Sequence, residues 1–225
     1  MALLVIEGLD GAGKSTQVKL LQEYLTAKDM KYEYLHFPRT DSPVYGDLIA
    51  RFLRGELGDN NNVNPYLVAL IYAGDRADSK QLLEGWIDQG VTVILDRYVY
   101  SNIAYQCAKL NDLNQKLALK KWILETEFEY FKLPKPDLNI FLDVPFEFTK
   151  RKLTEGRIGD DRTYLNGQRD IHEEDLDFQR RVRDIYLSIE GEDYFTRIDC
   201  SKNNEAILTP QEIFKKVIRE VTKIL

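Results

Sequence analysis

Short apolar runs alternate with longer amphipathic stretches along the chain. Five runs have the length of strands and lie at residues 2–6, 32–37, 91–95, 138–142 and 195–198. The segments between them are long enough for the helical crossovers that join parallel strands. This alternation predicts an α/β fold, a five-stranded parallel sheet with helices on both faces.

Capping residues indicate where several helices begin. A capping side chain precedes a proline at three places, Asn64-Pro65, Ser42-Pro43 and Thr209-Pro210, and Glu212 completes a capping box at the last. After that box one helical face is apolar, at Ile213, Phe214, Val217, Ile218, Val221, Ile224 and Leu225. The pattern predicts a terminal helix that packs on the sheet.

No repeat or linker divides the 225 residues, so we expect a single domain over residues 1–225. Residues 155–171 differ from the rest, with three glycines, three arginines and almost no apolar periodicity. We interpret them as a mobile charged loop, and a passive surface insertion is the alternative.

Composition excludes several classes of protein. The 31 basic and 37 acidic residues give a net charge of −6, which argues against general nucleic-acid binding. Cys107 and Cys200 form no C-x-x-C pair, and with only two histidines they supply no zinc site of common spacing. Both thiols are expected to stay reduced in the cytosol.

The first apolar run does not resemble a signal peptide. It lacks a basic flank, and Glu7 and Asp10 follow it at once. No window approaches the roughly 18 apolar residues of a membrane span. We therefore expect a soluble, cytoplasmic protein without a membrane partner.

Residues 8–15, G-L-D-G-A-G-K-S, match the phosphate-binding pattern G-x-x-x-x-G-K-[ST] in full. An apolar run precedes the motif, and an amphipathic stretch with Val18, Leu21 and Leu25 on one face follows. This is the strand, loop and helix that the motif requires. A glycine-rich turn opening an ordinary helix is the alternative.

The residue types of this motif suit a nucleoside triphosphate. Glycines let backbone N–H groups converge on phosphate oxygens, and the helix N-terminus adds its positive dipole end. Lys14 supplies a cation for the β and γ phosphates, and the Ser15 hydroxyl can ligate Mg²⁺. The predicted phosphate-binding set is Gly8, Gly11, Ala12, Gly13, Lys14, Ser15 and Thr16.

Asp96 follows the third apolar run, at the carboxyl end of a predicted strand, where open α/β sheets bind ligands. It could hold Mg²⁺ directly or through water. A lone aspartate after a strand is often a cap or turn residue, but the phosphate motif favours the metal.

The chain lacks the N-K-x-D element of guanine-specific switches, and it resembles the thymidylate kinase family. The similar motifs are residues 8–16 (GLDGAGKST), Phe37-Pro38-Arg39, Tyr72 with Asp75-Arg76, Asp96-Arg97-Tyr98 with Ser101-Asn102 and Tyr105, and Lys135-Pro136-Asp137. They extend over nearly the whole chain. The resemblance implies a three-layer P-loop NTPase fold and transfer of the γ-phosphoryl group of ATP to dTMP, with Mg²⁺ as cofactor.

The resemblance also implies a role for each matched residue. Arg97 corresponds to the residue that grips the acceptor phosphate, with Arg39 as a second arginine. Tyr72 would stack on the base and Arg76 would donate to a thymine carbonyl. The remaining dTMP contacts are Phe37, Asn102 near the base edge, Tyr105 against the sugar C2′, and Asp10 on the 3′-hydroxyl.

Gly11 stands where some members carry a basic residue, so the chain resembles the bacterial-type subclass whose arginine comes from a lid at about residues 155–171. Arg157, Arg162 and Arg169 are the candidate catalytic arginines, and Arg151 would pack on adenine. The resemblance implies a homodimer, with residues 65–86 and 100–110 as contact surfaces. For His172 we expect a solvated side chain.

Two other hypotheses stay open at this point. One is a related nucleotide or nucleoside kinase with a different acceptor. The other, from a different class, is a nucleotide-binding regulator without turnover.

Overall fold

The computed structural model describes residues 2–60, 62–154, 165, 170–192, 194–203 and 206–225. Its sheet has five parallel strands in the order β2-β3-β1-β4-β5, which confirms the predicted α/β architecture. The strands are β1 (Leu3–Glu7), β2 (Tyr32–His36), β3 (Thr92–Asp96), β4 (Leu138–Asp143) and β5 (Phe195–Asp199), and β6 (Ser201–Lys202) pairs with β7 (Ala206–Ile207) in a separate hairpin.

Helices follow the strands on both sides of the sheet. They are α1 (Lys14–Ala27), α2 (Tyr45–Leu53), α3 (Pro65–Asp78), α4 (Lys80–Asp88), α5 (Val99–Cys107), α6 (Leu113–Leu124), α7 (Phe146–Thr154), α8 (Ile171–Glu174), α9 (Leu176–Ser188) and α10 (Pro210–Val221). A π-helical segment, Glu125–Tyr130, continues α6. In one layer α1 packs on β1 and β3 while α10 packs on β5 and α1; in the other, α5 packs against α3, α6 and α9.

The core lies around the three central strands. Every residue of β1, β3 and β4 is buried, whereas β2 and β5 at the edges are partly exposed. Strands covered on both faces are apolar without alternation, which is why these runs are continuous in the sequence. Among the described residues, no helix combines the length and apolarity needed to cross a membrane.

Two of the three predicted caps are confirmed. Asn64 accepts a hydrogen bond from the Tyr66 amide, and Thr209 and Glu212 form the capping box of α10. The cap at Ser42 is wrong, because α2 begins at Tyr45. The Ser42 hydroxyl instead accepts from the Gly46 amide and donates to Asp75, both at 3.1 Å, and so ties the loop before α2 to α3.

The terminal helix follows the predicted pattern up to its last turn. Ile213, Val217 and Val221 are buried against α1 and β5. Ile224 and Leu225 follow the end of α10 and are exposed, so they do not belong to the buried face.

Most of one predicted dimer surface, residues 100–110, is wrong. Residues 100–108 are buried inside the chain itself, and only Lys109 and Leu110 are half-buried. On α3 the side chains of Leu67 and Leu70 are exposed, as are Leu113 and Leu117 on α6. Helices α3 and α6 contact each other.

Candidate active site

A cleft of about 1140 Å³ opens at the carboxyl ends of β1, β2 and β3, large enough for a bound nucleotide. It is lined by the predicted residues Asp10, Gly11, Ala12, Gly13, Lys14, Ser15, Phe37, Arg39, Tyr72, Arg76, Asp96, Arg97, Asn102 and Tyr105. Gly8, Thr16 and Arg151 do not line it. Arg157, Arg162 and Arg169 lie outside the described residues.

The loop between β1 and α1 has the backbone of a phosphate cradle. Gly11 and Gly13 have φ of 75° and 83°, a left-handed conformation that glycine adopts without strain. A Cβ at Gly11 would come within 3.0 Å of the Lys152 Cβ on α7. Lys14 is buried, and its ammonium donates to the carbonyls of Gly8 and Leu9 at 3.3 and 3.1 Å.

Asp96 ends β3 beside the cradle. The sheet register pairs it with His36, whose Nδ1 lies 3.4 Å from Asp96 Oδ2. Burial alone would raise the pKa of Asp96, but Lys14 and His36 outweigh burial and lower it. The carboxylate is therefore anionic at neutral pH. His36 was not among the residues predicted from the sequence.

The residues beside the cradle fit a magnesium ion. Asp96 Oδ1 is buried and has no hydrogen-bond partner among the residues that the structure describes, and Ser15 lines the same cleft. No group of three or more His, Cys, Asp or Glu side chains with metal-binding geometry occurs in the described part of the chain. Mg²⁺ usually takes one or two carboxylates and completes its shell with waters and substrate phosphates, so Asp96 and Ser15 are a donor set of the kind that it uses.

Arg97 lies at the junction of the cradle and the inner cleft. Its backbone has φ of 70°, which is rare outside glycine and occurs often at functional sites. The guanidinium donates to Asp10 Oδ1 at 2.8 Å, to the Tyr105 hydroxyl at 3.1 Å and to Ser101 Oγ at 3.2 Å. Burial would lower the pKa of Arg97, but Tyr105 and Asp10 keep it raised, so the charge is permanent.

Asp10 is held by several donors at once. Besides Arg97, the Tyr105 hydroxyl donates to Asp10 Oδ2 at 2.8 Å, and Gln179 Nε2 lies 3.4 Å from the same oxygen. The carboxylate inside the phosphate loop is thus compensated by a cation. Gln179, on α9, is a site residue that the sequence analysis missed.

Glu7 is a second missed residue, fully buried behind Arg97. It accepts hydrogen bonds from the amides of Tyr98 and Ser101 and from the hydroxyls of Ser101 and Tyr186. Burial raises the pKa of its carboxyl group. Since Ser101 also receives a bond from Arg97, Glu7 orients the arginine through that serine. An acidic residue at the end of an otherwise apolar strand is the signal that could have identified it.

Further inside, Tyr72 and Arg76 lie on the same face of α3 and both line the cleft, as predicted. Arg76 is fully buried and donates two hydrogen bonds to Glu127 of the π-helical segment. Asn102 donates from Nδ2 to the same carboxylate and to the carbonyl of Ala69. Phe37 also lines the cleft, and the centre of its ring lies 5.9 Å from that of Tyr98.

Arg39 is engaged with α3. Its Nε lies 2.9 Å from Asp75 Oδ1, and its Nη2 lies 2.8 Å from Asp78 Oδ2. The guanidinium is therefore oriented within the cleft wall by two carboxylates. Its contact with an acceptor phosphate stays a prediction.

The expectation of a solvated His172 is wrong. The residue is 5% exposed, and its ring lies 5.0 Å from that of Tyr105, 5.3 Å from Phe178 and 5.4 Å from Phe52. Burial, reinforced by the nearby charge of Lys109, lowers the pKa of His172 well below its usual value. Because burial keeps the His172 imidazole neutral, the ring packs among aromatic side chains without a buried charge. No local sequence pattern predicts this burial.

Lys109 is a buried amine behind the same cluster. Its ammonium nitrogen has no hydrogen-bond partner among the described residues and lies 4.6 Å from the centre of the Phe52 ring. Burial lowers the pKa of Lys109 from 10.5 to about 7. Between pH 7 and 9 the unfolded chain therefore binds one more proton at Lys109 than the folded chain, so Lys109 makes the wild-type free energy of unfolding rise with pH across this window. Above pH 9 the raised pKa values of the buried Cys107 and Cys200 thiols act in the opposite direction.

Lys109→Met is expected to raise the free energy of unfolding at pH 7 by about 1–3 kcal/mol, because it removes an unsatisfied buried donor. The variant should also lose most of the rise in the free energy of unfolding between pH 7 and 9. Urea unfolding at several pH values measures both effects. Lys121→Met, on a side chain 76% exposed, is the matched control. A less stable Lys109→Met protein with an unchanged pH profile would contradict the expectation.

Comparison with known proteins agrees with this geometry. Residues 6–210 match the family model described as thymidylate kinase. The chain is similar to thymidylate kinases of Mycobacterium tuberculosis (36% identity, covering 83% of this chain and 85% of the relative) and Plasmodium falciparum (29%, covering 98% and 90%). A solved structure of thymidylate kinase from Candida albicans superposes with a TM-score of 0.72 at 27% identity, covering 99% of this chain and 91% of that one.

Proposed function

The chain belongs to the thymidylate kinase family, and on this premise we propose that it transfers the γ-phosphoryl group of ATP to dTMP, giving dTDP and ADP. One observation carries the proposal for this site. The phosphate cradle, the Arg97–Asp10 pair and the side chains of Tyr72 and Arg76 all line one continuous cleft. Such a cleft can align two phosphorylated ligands end to end, which is the main requirement of phosphoryl transfer.

At the donor end, backbone N–H groups of the loop from Gly8 to Ser15 would hold the triphosphate, with Lys14 against its β and γ phosphates. Asp96 and Ser15 would hold Mg²⁺, which when bound neutralises charge on the transferring phosphoryl group. Arg151 is exposed on α7 with its guanidinium 5.6 Å from the centre of the Phe148 ring, where we propose that it packs on adenine.

At the acceptor end, Arg97 would bind the phosphate of dTMP. Its guanidinium group is already oriented by Asp10 and Ser101, and a guanidinium group can form two parallel hydrogen bonds to a phosphate. The second pKa of a phosphate monoester is about 6, so the nucleophile is mostly deprotonated at pH 7 and needs no strong general base. The residues then act by alignment and by cancelling charge.

The sugar and base contacts follow from the positions of the remaining residues. We propose that Asp10 accepts from the 3′-hydroxyl and that Tyr105, fixed by its bond to Asp10, crowds C2′ and favours deoxyribose. Tyr72 would stack on thymine, with Phe37 below and Arg76 and Asn102 at the edge of the base. Stacking of an aromatic ring on a base contributes about 1–3 kcal/mol.

Three further proposals concern features outside the cleft. One of Arg157, Arg162 and Arg169 would reach from the lid and stabilise the negative charge of the transition state. Two copies would associate through α3 and α6, whose exposed leucines are described above. A cytoplasmic location is consistent with the free, buried thiols of Cys107 and Cys200, whose pKa values burial raises to about 12.

The test is an assay of the purified protein with ATP, Mg²⁺ and a panel of acceptors. We expect dTMP to give the highest kcat/KM, dUMP a lower value, and AMP and dCMP values at least about 10³-fold lower, because a site built for one hydrogen-bonding edge rejects the others. Thymidine carries the same base but lacks the acceptor phosphate that Arg97 would hold, so a comparably low value is expected for it. Preference for another acceptor would establish a different kinase of this fold. ATP binding without acceptor-dependent ADP release would indicate a regulator.

A further inference from the structure

Glu127 is a fully buried carboxylate that contacts two residues of the cleft, Arg76 and Asn102, without lining the cleft itself. It lies in the π-helical segment, whose side chains at 125 and 129 are also glutamates but are 58% and 61% exposed. Wide turns of this kind are rare and occur frequently at functional sites. The burial of one glutamate among three on the same segment calls for a specific partner.

The partners of Glu127 are two predicted base-contacting residues. Arg76 donates from Nε and Nη2 at 2.5 and 2.7 Å to the two carboxylate oxygens, and Asn102 Nδ2 donates to Oε1 at 2.9 Å. Burial would lower the pKa of Arg76, and the charge of Glu127 more than offsets it. Glu127 therefore fixes both residues.

The hydrogen bonds of Asn102 admit a single orientation of its amide. Its Nδ2 donates to Glu127 and to the carbonyl of Ala69 at 3.0 Å, and neither acceptor carries a hydrogen. A flipped amide would place Oδ1 against two oxygens. Within the described part of the chain, Oδ1 is accordingly left buried without a partner, on a residue that lines the cleft. An orphaned acceptor in a ligand pocket is satisfied by a donor on the ligand.

We propose that Glu127 is a positioning residue that sets the choice of base by holding Asn102 as an acceptor and Arg76 as a donor. This inference rests on the proposed function and adds the residue that selects the pyrimidine. Thymine and uracil present an N3–H donor beside carbonyl oxygens, which matches this pair. Cytosine presents a lone pair at N3 and an amino group at C4, so acceptor would face acceptor and donor would face donor.

The proposal is tested with Glu127→Gln, which keeps the size of the side chain and removes its charge. The glutamine side chain can turn its NH₂ group toward Asn102. The side-chain amide of Asn102 would then flip to accept from it. We expect the ratio of kcat/KM for dTMP over dCMP to fall about tenfold or more, with an unchanged KM for ATP. Dissociation constants of dTMP and dCMP, measured by calorimetry without ATP, should show the same change in ratio.

Glu127→Asp is the second variant, because it keeps the charge beside Arg76 but is too short to reach Asn102 as well. It is expected to fold and to lower the same ratio. Glu125→Gln, on an exposed side chain of the same segment, should leave the ratio unchanged. An unchanged dTMP to dCMP binding ratio in both Glu127 variants would overturn the inference. Absence of dTMP turnover by the wild-type protein would instead contradict the proposed function.

Discussion

Arg97→Ala is expected to lower kcat/KM for dTMP by about 10³-fold while the dissociation constant of ATP stays within about twofold. Arg97 is the buried cation at the junction of the two ligand sites, and its charge is present before substrate arrives. Alanine removes the bidentate contact to the acceptor phosphate and the cation that lies 2.8 Å from the Asp10 carboxylate beside it. Repulsion between that carboxylate and a dianionic phosphate adds to the loss.

Steady-state kinetics with varied dTMP and calorimetry with an ATP analogue separate these effects. Arg97→Lys should retain part of the activity, because an ammonium keeps the charge but cannot contact Asp10, Ser101 and a phosphate together. Arg180→Ala, on a side chain 56% exposed, is the control for loss of an arginine. Wild-type dTMP kinetics in Arg97→Ala would show that the acceptor phosphate binds elsewhere.

Lys14→Ala is expected to lower kcat by about 10³-fold with little change in dTMP binding. The ammonium group already lies across the loop, where it donates to the carbonyls of Gly8 and Leu9. A cation in this position stabilises the negative charge that develops between the β and γ phosphates. In the alanine variant only solvent can stabilise that charge. The loss therefore belongs to the transition state more than to substrate binding.

Single-turnover kinetics together with calorimetric titration of dTMP check this result. Lys19→Ala, on the exposed side of the same helix, is the matched control. Equal loss of dTMP affinity and of kcat would mean that Lys14 supports the fold of the cleft instead of the reaction. The two variants thus assign the donor and acceptor ends of the cleft separately.

The strands and the phosphate loop could be predicted because their signals are local. Strands buried on both faces require consecutive apolar residues, and a phosphate cradle is made by consecutive backbone amides. The match at residues 8–15 therefore located the site before any contact was known. The terminal capping box was predictable for the same reason, since its residues lie within one turn.

The supporting residues of the site could not be predicted in this way. Glu127 contacts Arg76 across 51 positions of sequence, and Glu7 contacts Ser101 across 94. No periodicity joins residues so far apart. The error at Ser42 has a related cause, because a capping residue is also a general hydrogen-bonding group and a tertiary partner, Asp75, competes for it.

Sequence by itself determined the α/β architecture, the position of the phosphate cradle and, through its motifs, the family from which the acceptor is proposed. The tertiary structure decided which charges are buried and how they are paired: Asp10 with Arg97, Glu127 with Arg76, and a neutral His172 among aromatic rings. The physical reason is that apolar patterning and turn chemistry act between neighbours in the chain. The cost of burying a charge depends on every group that folding brings within a few ångströms of it.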